Sequence, residues 1–71
     1  MKKEIVAPLP GTIVKVLVNI GDIVQESDDV VILESMKMEN QISTKMSGTV
    51  KEILVAGGDH VAAQQAMIIL A

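Results

Sequence analysis

The segment Ile32 to Ile42, ILESMKMENQI, decides the fold. Glu34 to Gln41 is a run of good helix formers, and by propensity alone it reads as a helix. The flanking chain argues against that. Leu33 and Leu70 end equivalent apolar segments and Gly48 opens a new unit, which leaves too little chain for a packed helix and a return strand. A tight hairpin at Met36-Lys37-Met38, joining two similar halves, is expected instead.

The equivalence comes from an internal repeat. Laid over each other, GTIVKVLVNIGDIVQESDDVVILE (Gly11 to Glu34) and GTVKEILVAGGDHVAAQQAMIILA (Gly48 to Ala71) match without a gap. Gly11, Thr12, Leu17, Val18, Gly21, Asp22, Val24 and Leu33 recur as Gly48, Thr49, Leu54, Val55, Gly58, Asp59, Val61 and Leu70. Short apolar segments often align by chance, but turn residues at matching offsets do not. Two copies of one supersecondary unit, each needing the other to bury its apolar face, are the expected organisation of a single domain over residues 1–71.

Each copy reads as strand, turn, short strand, turn, strand. Pro10-Gly11 and Ser47-Gly48 open the units, and Asn19-Ile20-Gly21-Asp22 and Ala56-Gly57-Gly58-Asp59 are turn clusters. Strands are expected at Thr12 to Val18, Thr49 to Val55, Val30 to Ser35 and Ala66 to Leu70, with short pieces at Ile23-Val24 and His60-Val61. Ile5 to Ala7 and Glu39 to Lys45 complete about eight strands. The expected fold is all-β: a flattened barrel or sandwich of two four-stranded antiparallel sheets with pseudo-two-fold symmetry, a barrel-sandwich hybrid.

Composition narrows the function. The 71 residues hold 49% apolar residues but no Phe, Tyr, Trp or Cys, so the core is built of branched aliphatics, and disulfides, thiolate metal sites and thiol nucleophiles are excluded. A net charge of −3, scattered lysines and no aromatic ring argue against nucleic acid. No apolar run is long enough for a membrane span, and Met1-Lys2-Lys3 leads into Glu4 and Pro8 without a signal-peptide core. A soluble, cytoplasmic monomer is expected.

Lys37 is the candidate site. At the tip between two pseudo-symmetric halves it should be solvated, and a solvated primary amine is protonated at neutral pH and a poor nucleophile unaided. It therefore suits acylation by another enzyme. His60 stands where the first copy has Ile23 and is expected to be a structural residue. Asp22, Asp28, Asp29 and Asp59 lack the spacing of a calcium loop and read as turn residues. Gly57-Gly58 lacks the strand-to-helix context of a phosphate loop.

Glu34-Ser35-Met36-Lys37-Met38-Glu39, with Ala7-Pro8, Pro10-Gly11, Gly21-Asp22-Val24, Ser47-Gly48 and Gly58-Asp59-Val61, resembles the biotinyl/lipoyl domain family over essentially the whole chain. It is most similar to the small stand-alone attachment proteins. Gly11 to Glu34 has no room for the extra thumb segment of many acetyl-CoA carboxylase carriers. The resemblance implies a carrier rather than an enzyme, with biotin joined by an amide to Lys37 through a biotin protein ligase. Carboxybiotin would then travel between biotin carboxylase and carboxyltransferase sites. It also implies that Met36 and Met38 form the ligase's recognition surface and that Glu34 and Glu39 tune recognition. Lipoyl domains usually carry Asp-Lys-Ala at the tip, so the methionines favour biotin; the alternative is a lipoyl carrier, or an acceptor of both biotin and lipoate, in a 2-oxoacid dehydrogenase-type system. An unmodified docking domain is the reading from a different class.

Overall fold

Strands form where branched aliphatics alternate with polar residues and turn residues stop them. The structure, a computed structural model, describes residues 3–71; Met1 and Lys2, at the head of the segment read for a signal peptide, lie outside the described residues. Among the described residues there are eight strands: β1 (Lys3–Val6), β2 (Gly11–Val16), β3 (Ile23–Val24), β4 (Asp29–Ser35), β5 (Met38–Ser43), β6 (Gly48–Ile53), β7 (His60–Val61) and β8 (Ala66–Leu70). They make two four-stranded antiparallel sheets of order β1-β8-β6-β3 and β5-β4-β2-β7. The all-β expectation, including a hairpin rather than a helix after Leu33, describes this architecture. No helix of the described residues is long and apolar enough to cross a membrane.

The halves interlock. β3 of the first copy pairs with β6 of the second, and β7 of the second pairs with β2 of the first. Turn bonds repeat in the same way: Gly21 N–H donates to the Val50 carbonyl and Gly58 N–H to that of Ile13, at 2.8 and 2.7 Å. The symmetry extends beyond the recognised repeat. β1 pairs with β8 through Ile5 and Ile68 as β5 pairs with β4 through Ile42 and Val31. Each pairing carries a register shift that turns one extra residue, Met67 or Val30, into the core. Neither copy holds a complete sheet of its own.

Ile13, Val24, Val30, Val31, Leu33, Val50, Met67, Ile68 and Leu70 fill the interior, all 3% exposed or less. With no aromatic ring to fill space, each aliphatic contributes about 1.5–3 kcal/mol by burial. Thr44 is the one buried polar residue among those described, and its hydroxyl donates to the Met46 carbonyl at 2.7 Å. That local bond turns the chain and ends β5 at Ser43, short of the Lys45 expected from sequence. Strands β2 and β6 likewise stop at Val16 and Ile53 rather than Val18 and Val55, although Leu17 and Leu54 still donate to the Val30 and Met67 carbonyls. β1 occupies Lys3–Val6 rather than Ile5 to Ala7.

The aspartates divide. Asp22, Asp28 and Asp59 accept turn N–H groups from Asn19, Gln25 and Ala56 at 2.8 to 2.9 Å, as turn residues do. Asp29 is instead a β4 residue that accepts from the Ser43 hydroxyl across the strand pair. The described residues contain no cluster of His, Cys, Asp and Glu fit for a metal ion.

Gly11 is sterically required. A β-carbon there would collide with the Glu34 carbonyl, where β2 passes β4 beneath the hairpin. Its repeat partner Gly48 has more room, with the Ala71 carbonyl at 3.2 Å from such a carbon. Gly11→Ala is expected to destabilise the fold by about 1–3 kcal/mol, as overpacking does. Gly48→Ala should cost less, and paired urea midpoints measure the difference.

Candidate functional site

Six residues make up the candidate site: Glu34, Ser35, Met36, Lys37, Met38 and Glu39. β4 delivers the chain to Ser35, which pairs directly with Met38 on β5, so Met36 and Lys37 alone make the turn. The expected tip at residues 36–38 is thus a two-residue turn, with Met38 already in the returning strand. Both turn residues lie in the left-handed region, with φ of 54° at Met36 and 64° at Lys37. Positive φ at both central residues is the signature of a type I′ hairpin, whose twist matches that of its strands and which favours Asn-Gly.

Methionine and lysine are poor residues for that turn. Each side chain in the left-handed region costs about 1–2 kcal/mol relative to glycine. Ser27 and Gln64 also have positive φ, but only at the hairpin do two successive residues other than glycine adopt it, and strain of that kind points to a position where the side chain matters more than the turn. Replacing Met36-Lys37 with Asn-Gly is expected to raise stability by about 1–2 kcal/mol while removing the amine. A thermal melt of the double variant measures it.

Lys37 is exposed, and its neighbours are more so than a core role would allow: Met36 is 90% and Met38 65% exposed. Met46, not a tip methionine, covers the core edge. Among the described lysines, Lys3, Lys15 and Lys51 lie along strands and Lys45 sits in the bend after β5; Lys37 alone occupies a hairpin turn. Glu34 and Glu39 face each other directly across the hairpin, both exposed. Like charges placed so destabilise a strand pair, and they give the tip's base an acidic surface.

The same cross-strand row continues from Glu34 to Thr12 and from Thr12 to His60. Thr12 Oγ1 and His60 Nδ1 lie 2.9 Å apart in a hydrogen bond. His60, read from the sequence as a structural residue, is exposed, and its place in the cross-strand row that leads to the hairpin has no signature in its own segment. The one signal was its replacement of Ile23 at the matching position of the repeat. Together with Pro10, Ser35, Met36 and Lys37, Thr12 and His60 line an open groove of about 510 Å³ along the hairpin.

The family model for "Biotin-requiring enzyme" matches residues 3–70. The biotin carboxyl carrier protein of Streptococcus mutans serotype c is 54% identical over 92% of this chain and 50% of its own length. The mitochondrial propionyl-CoA carboxylase alpha chain of Homo sapiens is 40% identical over 78% of this chain, which is 8% of that protein. The chain thus spans half or less of these curated relatives. Among solved structures, urea carboxylase of Kluyveromyces lactis superposes with a TM-score of 0.91 at 30% identity, over 100% of this chain and 6% of that one. By its sequence and its paired sheets alike, the chain belongs to the biotin/lipoyl family of attachment domains.

Proposed function

We propose that this chain is a non-catalytic biotin carrier of a carboxylase, modified on Lys37. The observation that carries the proposal is an exposed lysine held at a strained two-residue turn between exposed methionines, in a chain 54% identical to a biotin carboxyl carrier protein. The residues fit the group: the amine is the single lysine of the described residues placed in a turn, and nothing buries it. A biotin protein ligase forms the amide between the biotin carboxyl carbon and Lys37 Nζ. AMP leaves from the activated acyl adenylate, and the amine loses a proton.

Met36 and Met38 offer the ligase flexible apolar contact, since a thioether adapts to an opposing surface. Glu34 and Glu39 offer it a negative patch for basic residues and steer the encounter. The two-residue turn places the lysine at the exposed end of the β4–β5 hairpin. Bound biotin supplies a ring nitrogen that takes up and gives up a carboxyl group. The domain's own part is to hold that ring on a tether, raising its local concentration at the biotin carboxylase and carboxyltransferase sites. Methionines on both sides of Lys37 set the tip apart from the Asp-Lys-Ala usual for lipoyl attachment.

The test is a two-stage reconstitution. The chain is incubated with biotin protein ligase, ATP and biotin, then with biotin carboxylase, ATP and labelled bicarbonate. Acid-labile label on the chain that depends on the first stage is the expected result. Acceptance of lipoate from a lipoyl ligase with refusal of biotin would contradict it.

A further inference from the structure

We propose that the groove beside the hairpin is a resting site for the head group of the biotin on Lys37, with the Thr12–His60 pair as its polar anchor. The inference rests on the carrier reading. Its first support is continuity: Met36 and Lys37 line the same groove as Thr12 and His60, so a group tethered at one end needs only to fold back. β7 lies two strands from β4, a span of about 10 Å at ordinary strand spacing. The lysine methylenes, the new amide and the aliphatic chain of biotin cover it.

The second support is chemical. The Thr12 hydroxyl engages His60 Nδ1 and leaves Nε2 without that partner. When threonine donates, Nε2 carries the proton and can donate to the ureido carbonyl. When threonine accepts, Nε2 is a lone pair that can take a ureido N–H. A cyclic urea offers both an acceptor and donors, so either tautomer matches it. Lipoate's dithiolane ring offers no N–H and no carbonyl.

Asymmetry between the halves is the third support. Thr12 and Thr49 are repeat partners and both pair with a short strand, but Thr49 faces Ile23 where Thr12 faces His60. Only the hairpin end has the imidazole. An open groove with one or two hydrogen bonds holds a head group in exchange with solvent rather than locking it, which suits a carrier that must surrender it.

The test uses enzymatically biotinylated chain verified by mass. Amide and side-chain NMR shifts are compared with those of the unmodified chain, and ureido N–H exchange with that of a biotinylated peptide spanning Ile32 to Ile42. Shifts at Gly11, Thr12 and His60 and a several-fold slower ureido exchange are expected. His60→Ile, the residue of the other copy, should return exchange to the peptide's rate without altering the extent of biotinylation, and His60→Gln should keep part of the slowing. Shifts confined to residues 35–38 with peptide-like exchange would overturn the resting site and leave the carrier reading standing. A chain that never gains biotin would overturn both.

Discussion

Lys37→Arg is expected to leave the fold intact and abolish modification. A guanidinium stays charged and does not form the amide, so the variant should return from ligase-competent cells with its unmodified mass. Its stability should stay within about 0.5 kcal/mol of the parent, because an exposed tip residue away from the core contributes little. The remaining described lysines do not substitute: three lie along strands and Lys45 sits in a bend, none in a hairpin turn. Intact mass together with a thermal melt separates this outcome from simple unfolding. Modification of the variant at another lysine would show that the ligase reads charge or composition rather than the hairpin.

Leu33→Ala should produce the largest loss of stability. Leu33 is fully buried, four residues before Lys37, and pairs with Ile13 on β2 and Asn40 on β5. Truncating a buried leucine costs about 2–5 kcal/mol, the spread depending on how far the cavity collapses. A domain of this size holds only about 4–10 kcal/mol in all. The midpoint of thermal unfolding should therefore fall by about 10 °C or more, each kcal/mol being worth about 4–8 °C in a small domain. Met36→Ala, at an exposed tip, is the control and should melt with the parent.

Much of the architecture was legible because turn residues, not just apolar ones, recur in register. Gly21-Asp22 and Gly58-Asp59 repeat as a glycine at φ of 95° and 96° followed by a carboxylate that caps its own turn. That pattern fixed the strand count and made a hairpin the economical reading of a helix-prone segment. What stayed hidden had no local signature. The match of β1 to β5 rests on Ile5 and Ile42, with Ala7 equivalent to Thr44, and no turn residue marks it. The exchange of β3 and β7 between sheets involves two-residue strands, too short for any periodicity. Left-handed geometry at Met36 and Lys37 could not be read from residues that do not favour it.

The candidate site was legible to a different extent. The central Met-Lys-Met motif singles out Lys37 in the sequence, and the structure places it exposed in the hairpin turn. Glu34 and Glu39 stand five residues apart in the sequence, and only the pairing register makes them direct neighbours. The Thr12–His60 pair is a contact between residues 48 apart in the chain, reached through β7, and no motif announces it.

The most direct test of the central claim is the intact mass of the chain isolated from cells with active biotin and lipoyl ligases, followed by peptide mapping across Met36-Lys37-Met38. A biotin-sized addition on Lys37 is the predicted result. An unmodified Lys37 despite competent ligases, or a lipoyl-sized addition in its place, would contradict it.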